Sequence, residues 1–344
     1  MPDRTYPDSF RSTLTSVASS NRALPATVPL RVRCQCSAIS FVVEAAPTSK
    51  PVRCHCVQCR KFCASSCATY LPLQSAPEAL VAPADQGGPR SFESPCDGLS
   101  LSLTRLFCGG CKSVLGAKAA GAGGSEQVLL ALGCVEDASI PPALALAWQS
   151  THRTLCAEQA PAWWKAKPSG FGPTAPPRVL RGSCACGACA FEAASGNEFQ
   201  TQHCYCNLCR RLSGSLCETW VPVRPDGWRW LAQGSLELVR TTGHGSRHMC
   251  KVCATTLTIV YDSQPDCLWP VAGVLDDDSL PPAETLPRAL CRAIHICCSM
   301  MQPWYELPDD GFFDLIPASE LKLLSLRPRD AAPAPATAAD AEAC

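Results

Sequence analysis

The chain of 344 residues has no long hydrophobic run and no excess of charge of one sign. One of its longer apolar stretches, Ala143–Trp148, falls far short of the roughly 20 residues that a membrane-spanning helix needs, so the sequence predicts no membrane span. Lys and Arg together number 30, and Asp and Glu also number 30. This balance argues against a dedicated phosphate-binding face, and we expect no nucleic-acid partner.

The beginning of the chain lacks the features of a secretory signal. Residues 1–28 contain Asp3, Asp8 and many Ser and Thr residues, without the apolar core of roughly 7–15 residues that such a signal carries. The segment faintly resembles an organellar transit peptide, but its two aspartates count against that. We therefore expect a reducing compartment, the cytoplasm with the nucleus as the alternative. Clustered cysteines in a reducing compartment are more often metal ligands than disulfide partners.

Long helices have little room because proline is frequent. The 31 Pro residues are spread throughout the chain, and proline breaks helix interiors, which leaves little room for long helices; the exceptions, where the sequence allows short helices, lie within 143–165 and 318–325. Other segments are rich in β-branched and aromatic residues, which favours strands. These segments are Ala38–Ala45, Leu101–Cys108, Cys217–Val223, Ser235–Thr242 and Thr256–Asp262. The sequence predicts a mostly β fold.

Cysteine is the residue in excess, at 26 of 344 positions, and the cysteines repeat along the chain. Six pairs share an offset of 150 residues: Cys34/Cys184, Cys36/Cys186, Cys54/Cys204, Cys56/Cys206, Cys59/Cys209 and Cys67/Cys217. Two further pairs, Cys108/Cys250 and Cys111/Cys253, share an offset of 142. The second copy has therefore lost eight residues, and we expect the loss within Gln74–Gly98, where Pro and Gly indicate a loop.

The repeat predicts a tandem duplication of one domain. We expect a flexible leader at 1–28, a first domain at 29–166 and a second domain at 179–317. A Pro- and Gly-rich linker at 167–178 separates the two domains, and a disordered tail at 328–344 follows.

Four cysteines of each copy are predicted to form a closed zinc site, which we call the outer cluster. In the second copy Cys184 and Cys186 alternate along a strand, so that both sulfurs point to one face, and Cys250 and Cys253 form a C-x-x-C turn. The first copy offers Cys34, Cys36, Cys108 and Cys111. A structural zinc there would cross-link the domain and contribute folding free energy. The alternative, buried reduced cysteine, does not explain four matched positions.

A second motif supplies three further thiolates in each copy, which we call the inner cluster. Its members are Cys54, Cys56 and Cys59 in the first copy and Cys204, Cys206 and Cys209 in the second. Three protein ligands and one open position are typical of a catalytic zinc. A fourth ligand would close the site instead, and the sequence leaves this open; the candidates are His203, His244, His248 and the twelve cysteines outside both motifs, Cys297 and Cys298 among them. The default role of those spare cysteines is packing.

Basic residues directly follow the inner motif, namely Arg60 and Lys61 in the first copy and Arg210 and Arg211 in the second. They could neutralise the thiolates, lower the pKa values of the thiols, or bind a substrate carboxylate. The first two roles are the more common ones. For substrate binding, the candidates are Arg210, Arg211 and Ser215.

The motifs together resemble the glutathione-dependent formaldehyde-activating enzyme family, which also includes centromere protein V. The resemblance covers about 30–117 and 179–316, and it is carried by Gly182–Gly187, Cys204–Ser215, Cys250-x-x-Cys253, His295–Ile296 and Pro303–Leu307. It implies a β-tent fold, two packed antiparallel sheets stapled by zinc. It also implies up to two zinc ions per domain, a structural ion on the outer cluster and a second ion on the inner one.

The resemblance further implies carbon–sulfur bond chemistry on a small thiol, namely condensation of glutathione with formaldehyde or the reverse, which is a lyase activity. One alternative is a non-catalytic zinc module for protein or chromatin interaction, although the tail from Arg327 has two arginines against three acidic residues. Thiol redox chemistry is a weaker alternative, because no thioredoxin-like βαβ pattern is present. The oligomeric state is not predicted.

Departures from the family pattern favour the second copy as the active one. Ser37 and Ala64 stand in the first copy where the second has Gly187 and Gly214, and Lys112 follows its C-x-x-C motif. The second copy departs at Ala254. Glycine at such turns permits positive φ or close backbone approach, so the first copy is expected to be the degenerate one.

Overall fold

The structure is a computed structural model that describes residues 24–120, 126–165, 179–194, 201–221, 223, 225–280, 294–305 and 314–316. The predicted leader is described only from residue 24 onward, and the predicted linker, the tail and the helix expected at 318–325 lie outside the described residues. Among the described helices, none has the length and apolar character needed to cross a membrane. The predicted domain boundaries stay predictions.

The first copy is built mainly from strands. These are β1 Val28–Arg33, β2 Ser40–Ala45, β3 Val52–Cys54, β4 Ala68–Pro72, β5 Arg90–Cys96, β6 Leu101–Phe107, β7 Val114–Ala120, β8 Glu126–Ala131 and β9 Arg153–Leu155. Strands β1 and β2 form an antiparallel pair, and the other seven form one sheet in the order β5-β6-β7-β8-β4-β3-β9. Only β3 and β9 run parallel in that sheet. The helices are α1 Val57–Cys63, α2 Glu78–Val81, α3 Pro142–Ser150 and α4 Ala162–Lys165.

The second copy repeats this plan. Its strands are β10 Val179–Ser183, β11 Ala190–Ala194, β12 Gln202–Cys204, β13 Glu218–Trp220, β14 Arg229–Ala232, β15 Leu236–Arg240, β16 Gly245–Cys250, β17 Thr256–Tyr261, β18 Gln264–Pro270, β19 Ile294–Ile296 and β20 Asp314–Ile316, and its helix is α5 Asn207–Ser213. The sheets have the orders β10-β11-β14, β15-β16-β17-β18 and β13-β12-β19-β20. A bridge between Trp220 and Val271 joins the last two sheets, as β4 and β8 are joined in the first copy. The predicted mostly β fold is confirmed.

Single turns of 3-10 helix connect many of these elements. They are Ala84–Gln86, Asp97–Leu99, Leu132–Cys134, Asp137–Ser139, Ala157–Gln159, Pro225–Gly227, Ala272–Val274, Asp277–Ser279 and Cys298–Met300. Each of the five segments predicted as strands overlaps an observed strand. Strand β2 shows the reason, because its Val43 and Ala45 are buried while Val42 and Glu44 are exposed, the period-two pattern of a strand with one face on the core.

The two copies exchange equivalent hydrogen bonds across a shared interface. The hydroxyl of Ser65 donates to the carbonyl of Cys217, and the hydroxyl of Ser215 donates to the carbonyl of Cys67, each at 2.7 Å. All four residues are fully buried. Because each residue has its counterpart in the other copy, the interface has the reciprocal pattern of a two-fold dimer within one chain.

Ion pairs and close backbone contacts repeat the same reciprocity. Arg60 pairs with Asp277, and Arg210 pairs with Asp137, each at 2.5 Å. At Gly133 a Cβ atom would lie 2.2 Å from the carbonyl oxygen of Arg210. At the counterpart Gly273 a Cβ atom would lie 2.3 Å from the backbone nitrogen of Ser65. Glycine is therefore required at both positions, since any side chain would push the two copies apart.

The apolar core continues across this interface. One buried cluster unites Leu30 and Trp148 of the first copy with Tyr205 and Trp304 of the second. The Trp148 and Trp304 rings meet edge to face, with their centroids 6.1 Å apart. The two copies therefore share one apolar core.

Candidate metal centres

The outer cluster of the second copy brings its four sulfurs together as predicted. The Sγ atoms of Cys184, Cys186, Cys250 and Cys253 all lie within 4.8 Å of one another. The Sγ–Sγ distance is 3.5 Å from Cys184 to Cys186 and 3.6 Å from Cys186 to Cys250. Strand β10 ends just before Cys184, and β16 ends at Cys250, so the two strand ends and the turn after β16 position the group.

The first copy repeats the outer cluster with Cys34, Cys36, Cys108 and Cys111, again within 4.8 Å. Here the Cys34–Cys36 and Cys36–Cys108 sulfur spacings are 3.5 and 3.7 Å. The neighbouring thiol of Cys111 is the main cause that raises the pKa of Cys108 to about 11. Thiols that crowd in this way resist ionising together unless a cation offsets their charge.

The sulfur spacings of both outer clusters fit a tetrahedral zinc site. A Zn–S bond of about 2.3 Å in a regular tetrahedron places sulfurs about 3.8 Å apart. The observed 3.5–3.7 Å spacings are close to this value. Two motifs far apart in sequence therefore converge on a geometry that a single divalent ion can occupy.

The turns beside the clusters adopt the left-handed conformation in both copies. The φ angle is 77° at Gly187 and 67° at Gly214, and 61° at Ser37 and 50° at Ala64, which replace these glycines in the first copy. Ala254 in the second copy also has a positive φ, 59°. A non-glycine residue in this conformation costs roughly 1–2 kcal/mol. The departures from glycine therefore add strain without changing the turns.

The inner cluster of the first copy contains a fourth sulfur that the motif did not reveal. Cys54 ends β3, Cys56 precedes α1 and Cys59 lies in its first turn, and their sulfurs lie within 4.8 Å of one another and of Cys96. Cys96 Sγ is 3.8 Å from both Cys54 Sγ and Cys59 Sγ. This fourth thiol fits the closed alternative that the spare cysteines left available.

The inner cluster of the second copy consists of three sulfurs at this spacing. Cys204 ends β12, Cys206 caps α5, and the Cys209 amide donates to Cys206 Sγ at 3.4 Å. No fourth His, Cys, Asp or Glu among the residues that the structure describes shares the 4.8 Å spacing with all three. The Cys297 sulfur lies 4.0 Å from that of Cys204.

Ionisation within this three-sulfur group is uneven. Burial, and then hydrogen bonds from Cys204 and Cys206, raise the pKa of the Cys209 thiol well above its ordinary value. Hydrogen bonds from Cys204 and Cys209 lower the pKa of Cys206. Cys206 is therefore the first sulfur to carry negative charge, and a bound cation would be needed to ionise all three.

The three histidines considered as fourth ligands make other contacts. His203 is buried with its Nδ1 atom 2.8 Å from the hydroxyl of Thr219, and burial lowers its pKa to about 3. His248 Nδ1 lies 2.9 Å from the hydroxyl of Thr258. His244 stacks on Tyr261. None of them belongs to the described sulfur groups.

A buried arginine lies beside each inner cluster, and the sequence analysis missed both. Arg247 donates to Cys209 Sγ at 3.3 Å and to the Glu218 carboxylate at 3.0 Å, while Arg105 donates to Cys59 Sγ at 3.5 Å. Burial raises the pKa of Glu218, and Arg247 acts against this rise. Arg105 and Arg247 share the 142-residue offset of the neighbouring cysteines, which is the signal that could have found them. A fixed cation here stabilises thiolate charge.

The predicted substrate-binding residues lie mainly at the domain interface. The Arg210 guanidinium binds Asp137 and Asn207, and the Ser215 hydroxyl binds the Cys67 carbonyl. Burial lowers the pKa of Arg211, and its carbonyl accepts a hydrogen bond from Cys134. These contacts join the copies, so substrate binding by the three residues stays a prediction without support from their observed partners.

Comparison with known proteins assigns both copies to one family. The sequence model of the family described as "Glutathione-dependent formaldehyde-activating enzyme" matches residues 29–150 and 179–298. The chain belongs to this family. The two matches confirm that two domains of the glutathione-dependent formaldehyde-activating enzyme family stand in tandem, with one outer and one inner motif in each.

Two individual proteins are similar to part of this chain. A protein of Halomonas elongata named "Putative glutathione-dependent formaldehyde-activating enzyme" is 28% identical over 136 residues, which are 38% of this chain and 81% of that protein. A crystal structure of a Rhodobacter sphaeroides protein covers 28% of this chain and 87% of its own, at 23% identity and a TM-score of 0.24, too low to carry an argument. The family assignment therefore rests on the matched segments and the cysteine motifs.

Proposed function

We propose that this chain is a zinc-dependent enzyme of the carbon–sulfur lyase type, which condenses a small thiol such as glutathione with formaldehyde, or reverses that reaction. The product would be S-(hydroxymethyl)glutathione. The observation that carries the proposal is the buried three-sulfur group of Cys204, Cys206 and Cys209 inside a domain of this family. The proposed compartment is the cytoplasm or the nucleus, since none of the cysteines that the structure describes forms a disulfide.

The reaction places simple demands on the site. The thiol sulfur forms a bond to the carbonyl carbon, and the thiol proton moves to the carbonyl oxygen; in reverse, the carbon–sulfur bond breaks and the proton returns to sulfur. A zinc ion bound to the three thiolates would favour the thiolate form of the substrate and polarise the carbonyl. Orientation of the two reactants can supply much of the remaining rate.

The residues around the second inner cluster would set its charge. Arg247 donates to Cys209 Sγ and is held by Glu218, with both side chains at most 1% exposed. A guanidinium fixed in this way offsets negative charge on the sulfurs without having to reorganise during the reaction. The dry surroundings of the pair strengthen this electrostatic interaction.

Replacement of a single inner sulfur tests the proposal. We expect Cys206→Ser in the zinc-loaded full chain to abolish adduct formation while the far-UV circular dichroism spectrum is retained. Cys267→Ser is the matched control, because Cys267 lies on β18 outside every sulfur group that the structure describes. Adduct formation would be followed by NMR with glutathione and ¹³C-formaldehyde.

Two outcomes would contradict the proposal. One is a Cys206→Ser chain that forms the adduct as fast as the wild type. The other is a zinc-loaded wild-type chain that neither forms the adduct nor binds glutathione at millimolar concentration. The second result would favour the alternative of a non-catalytic zinc module for protein or chromatin interaction.

A further inference from the structure

We infer that Cys96 is the fourth ligand of the inner metal site in the first copy, and that this site holds a permanently bound structural ion. The inner site of the second copy would then be the only one of the two with an exchangeable position. The inference goes beyond the proposed function, because it assigns a metal ligand and a structural role that do not depend on catalysis.

The geometry around Cys96 is that of a complete four-sulfur site. Its sulfur is 3.8 Å from those of Cys54 and Cys59, which matches the spacing of about 3.8 Å expected around a tetrahedral zinc. Cys54, Cys56, Cys59 and Cys96 are all at most 1% exposed. Structural zinc sites are closed in this way, whereas catalytic sites keep one position for water or substrate.

An extension of one hairpin brings Cys96 to the cluster. In the pairing of β5 with β6, Glu93 lies opposite Thr104 and Cys96 lies opposite Leu101. Arg247 in the second copy is equivalent to Arg105, which makes Ser246 equivalent to Thr104. Ser246 lies opposite Arg240, as Thr104 lies opposite Glu93.

This register difference shows what the second copy lacks. Ten residues separate Glu93 from Thr104, but only five separate Arg240 from Ser246. Five of the eight residues missing from the second copy therefore fall in this hairpin, at the end of the segment in which the loss was expected. The second copy has no strand extension that could carry a counterpart of Cys96.

Arg105 holds the extension against the cluster. Its guanidinium donates to the hydroxyl of Ser94 at 2.5 Å, to the carbonyl of Pro95 at 3.1 Å and to Cys59 Sγ at 3.5 Å. One buried side chain thus ties the residues just before Cys96 to a sulfur of the inner motif. Such supporting contacts orient metal ligands and reduce the cost of assembling the site.

The two inner clusters differ in the number of thiolates and in the presence of a neighbouring carboxylate, and these two differences offset each other in charge. A divalent ion held by four thiolates leaves two net negative charges, and one held by three leaves one. The second copy adds the buried carboxylate of Glu218, whereas Ala68 occupies the equivalent position beside the four sulfurs. With Glu218 ionised and one arginine in each copy, both sites reach the same formal charge. The carboxylate therefore replaces the charge of the missing thiolate without replacing its ligand atom.

Cys297 does not remove this difference between the copies. It follows β19 with a φ of 58°, and Cys156 follows β9 in the first copy with a φ of 51°. Both copies therefore place a cysteine at this position. Cys96 has no equivalent cysteine in the shortened hairpin of the second copy, so it is the sulfur that distinguishes the two inner sites.

Metal release from the full chain tests the inference. In the zinc-loaded wild type we expect one of four ions to be lost to a chelator roughly 10-fold or more faster than the other three. Cys96→Ser is expected to give two fast and two slow ions. Cys156→Ser, at the matched neighbouring position, should keep the wild-type pattern. A Cys96→Ser chain that releases zinc like the wild type would overturn the assignment.

A measurement on the wild type covers the case in which Cys96→Ser fails to fold. In the chain loaded with ¹¹³Cd, we expect three NMR resonances typical of four-sulfur coordination and one shifted upfield by the loss of a sulfur. Two resonances of each kind would contradict the inference. Neither metal measurement depends on adduct formation, so a failure of the proposed function and a failure of this inference can be told apart.

Discussion

One buried histidine beside the second inner cluster affects the stability of the fold through its protonation state. His203, one residue before Cys204, is surrounded by the rings of Trp163, Trp164 and His295, and its Nδ1 atom lies 2.8 Å from the Thr219 hydroxyl. Burial lowers its pKa to about 3, which means that the folded chain holds this imidazole neutral at physiological pH.

The neutral His203 predicts a loss of stability in acid. The ordinary pKa of 6.5 applies to His203 in the unfolded chain, so the unfolded state binds a proton below pH 6.5. The folded state does not bind this proton until about pH 3. Stability is therefore complete above pH 6.5 and falls by about 1.4 kcal/mol per pH unit well below it. We expect His203→Gln to show a shallower fall, measured by urea unfolding at pH 7.0, 6.0 and 5.0.

Loss of metal in acid would affect the wild type and the variant alike, so the difference in slope isolates His203. The zinc content of both chains at each pH is the control. Equal slopes in the two chains would show that His203 does not titrate between the folded and unfolded states in this range.

At the level of elements, the two short helices that follow the inner motifs end differently. The residue that caps the C-terminal end is Ala64 in α1 and Gly214 in α5, both in the left-handed conformation. Gly214 also lies at the domain interface, where a Cβ atom would come within 2.7 Å of the Val114 carbonyl oxygen. The end of α5 therefore combines a backbone requirement with a packing requirement.

We expect Gly214→Ala to destabilise the chain more than Gly187→Ala. Both positions have a positive φ, so each alanine adds strain of roughly 1–2 kcal/mol. At Gly187 a Cβ atom meets nothing within 4 Å, whereas at Gly214 overpacking adds about 1–3 kcal/mol. Urea unfolding of both variants measures the difference, and equal losses would mean that the interface yields at Val114 without cost.

At the level of the whole molecule, the duplication has produced an internal pair of domains. The reciprocal bonds of Ser65 and Ser215 and the reciprocal pairs of Arg60 and Arg210 are contacts between copies that one domain could not make alone. Because both arginines are buried, removing the aspartate that pairs with either of them would leave a buried charge uncompensated and destabilise the chain. The interface therefore contributes to the stability of both domains.

A chain cut once between residues 166 and 178 is expected to remain a single particle. Gel filtration of the cut chain under native conditions should give the elution volume of the uncut protein. Gly133→Ala in the cut chain should promote separation, because its Cβ atom would lie 2.2 Å from the Arg210 carbonyl oxygen. Gly234→Ala, where a Cβ atom meets nothing within 4 Å, is the matched control. Halves that separate without any substitution would refute the shared core.

Features that depend on local spacing and on repetition could be predicted from the residues alone. Alternating residues such as Cys184 and Cys186 face the same way, and a C-x-x-C turn converges on one point whatever surrounds it, so the outer clusters and the three inner sulfurs could be predicted. The tandem arrangement followed from the matched offsets. Strands followed from their alternation and their β-branched residues.

The distant side chains that complete or surround these motifs became visible only once the chain was folded. Cys96 lies 37 residues beyond Cys59 with no motif of its own, and the pairing of β5 with β6 brings it to the sulfurs. Arg210 was a candidate for charge neutralisation, for lowering thiol pKa values or for substrate binding, and the structure adds that the packing of the two copies pairs it with Asp137. Local spacing sets the direction of neighbouring side chains, but contacts between distant residues depend on strand register and domain packing, which no short motif encodes.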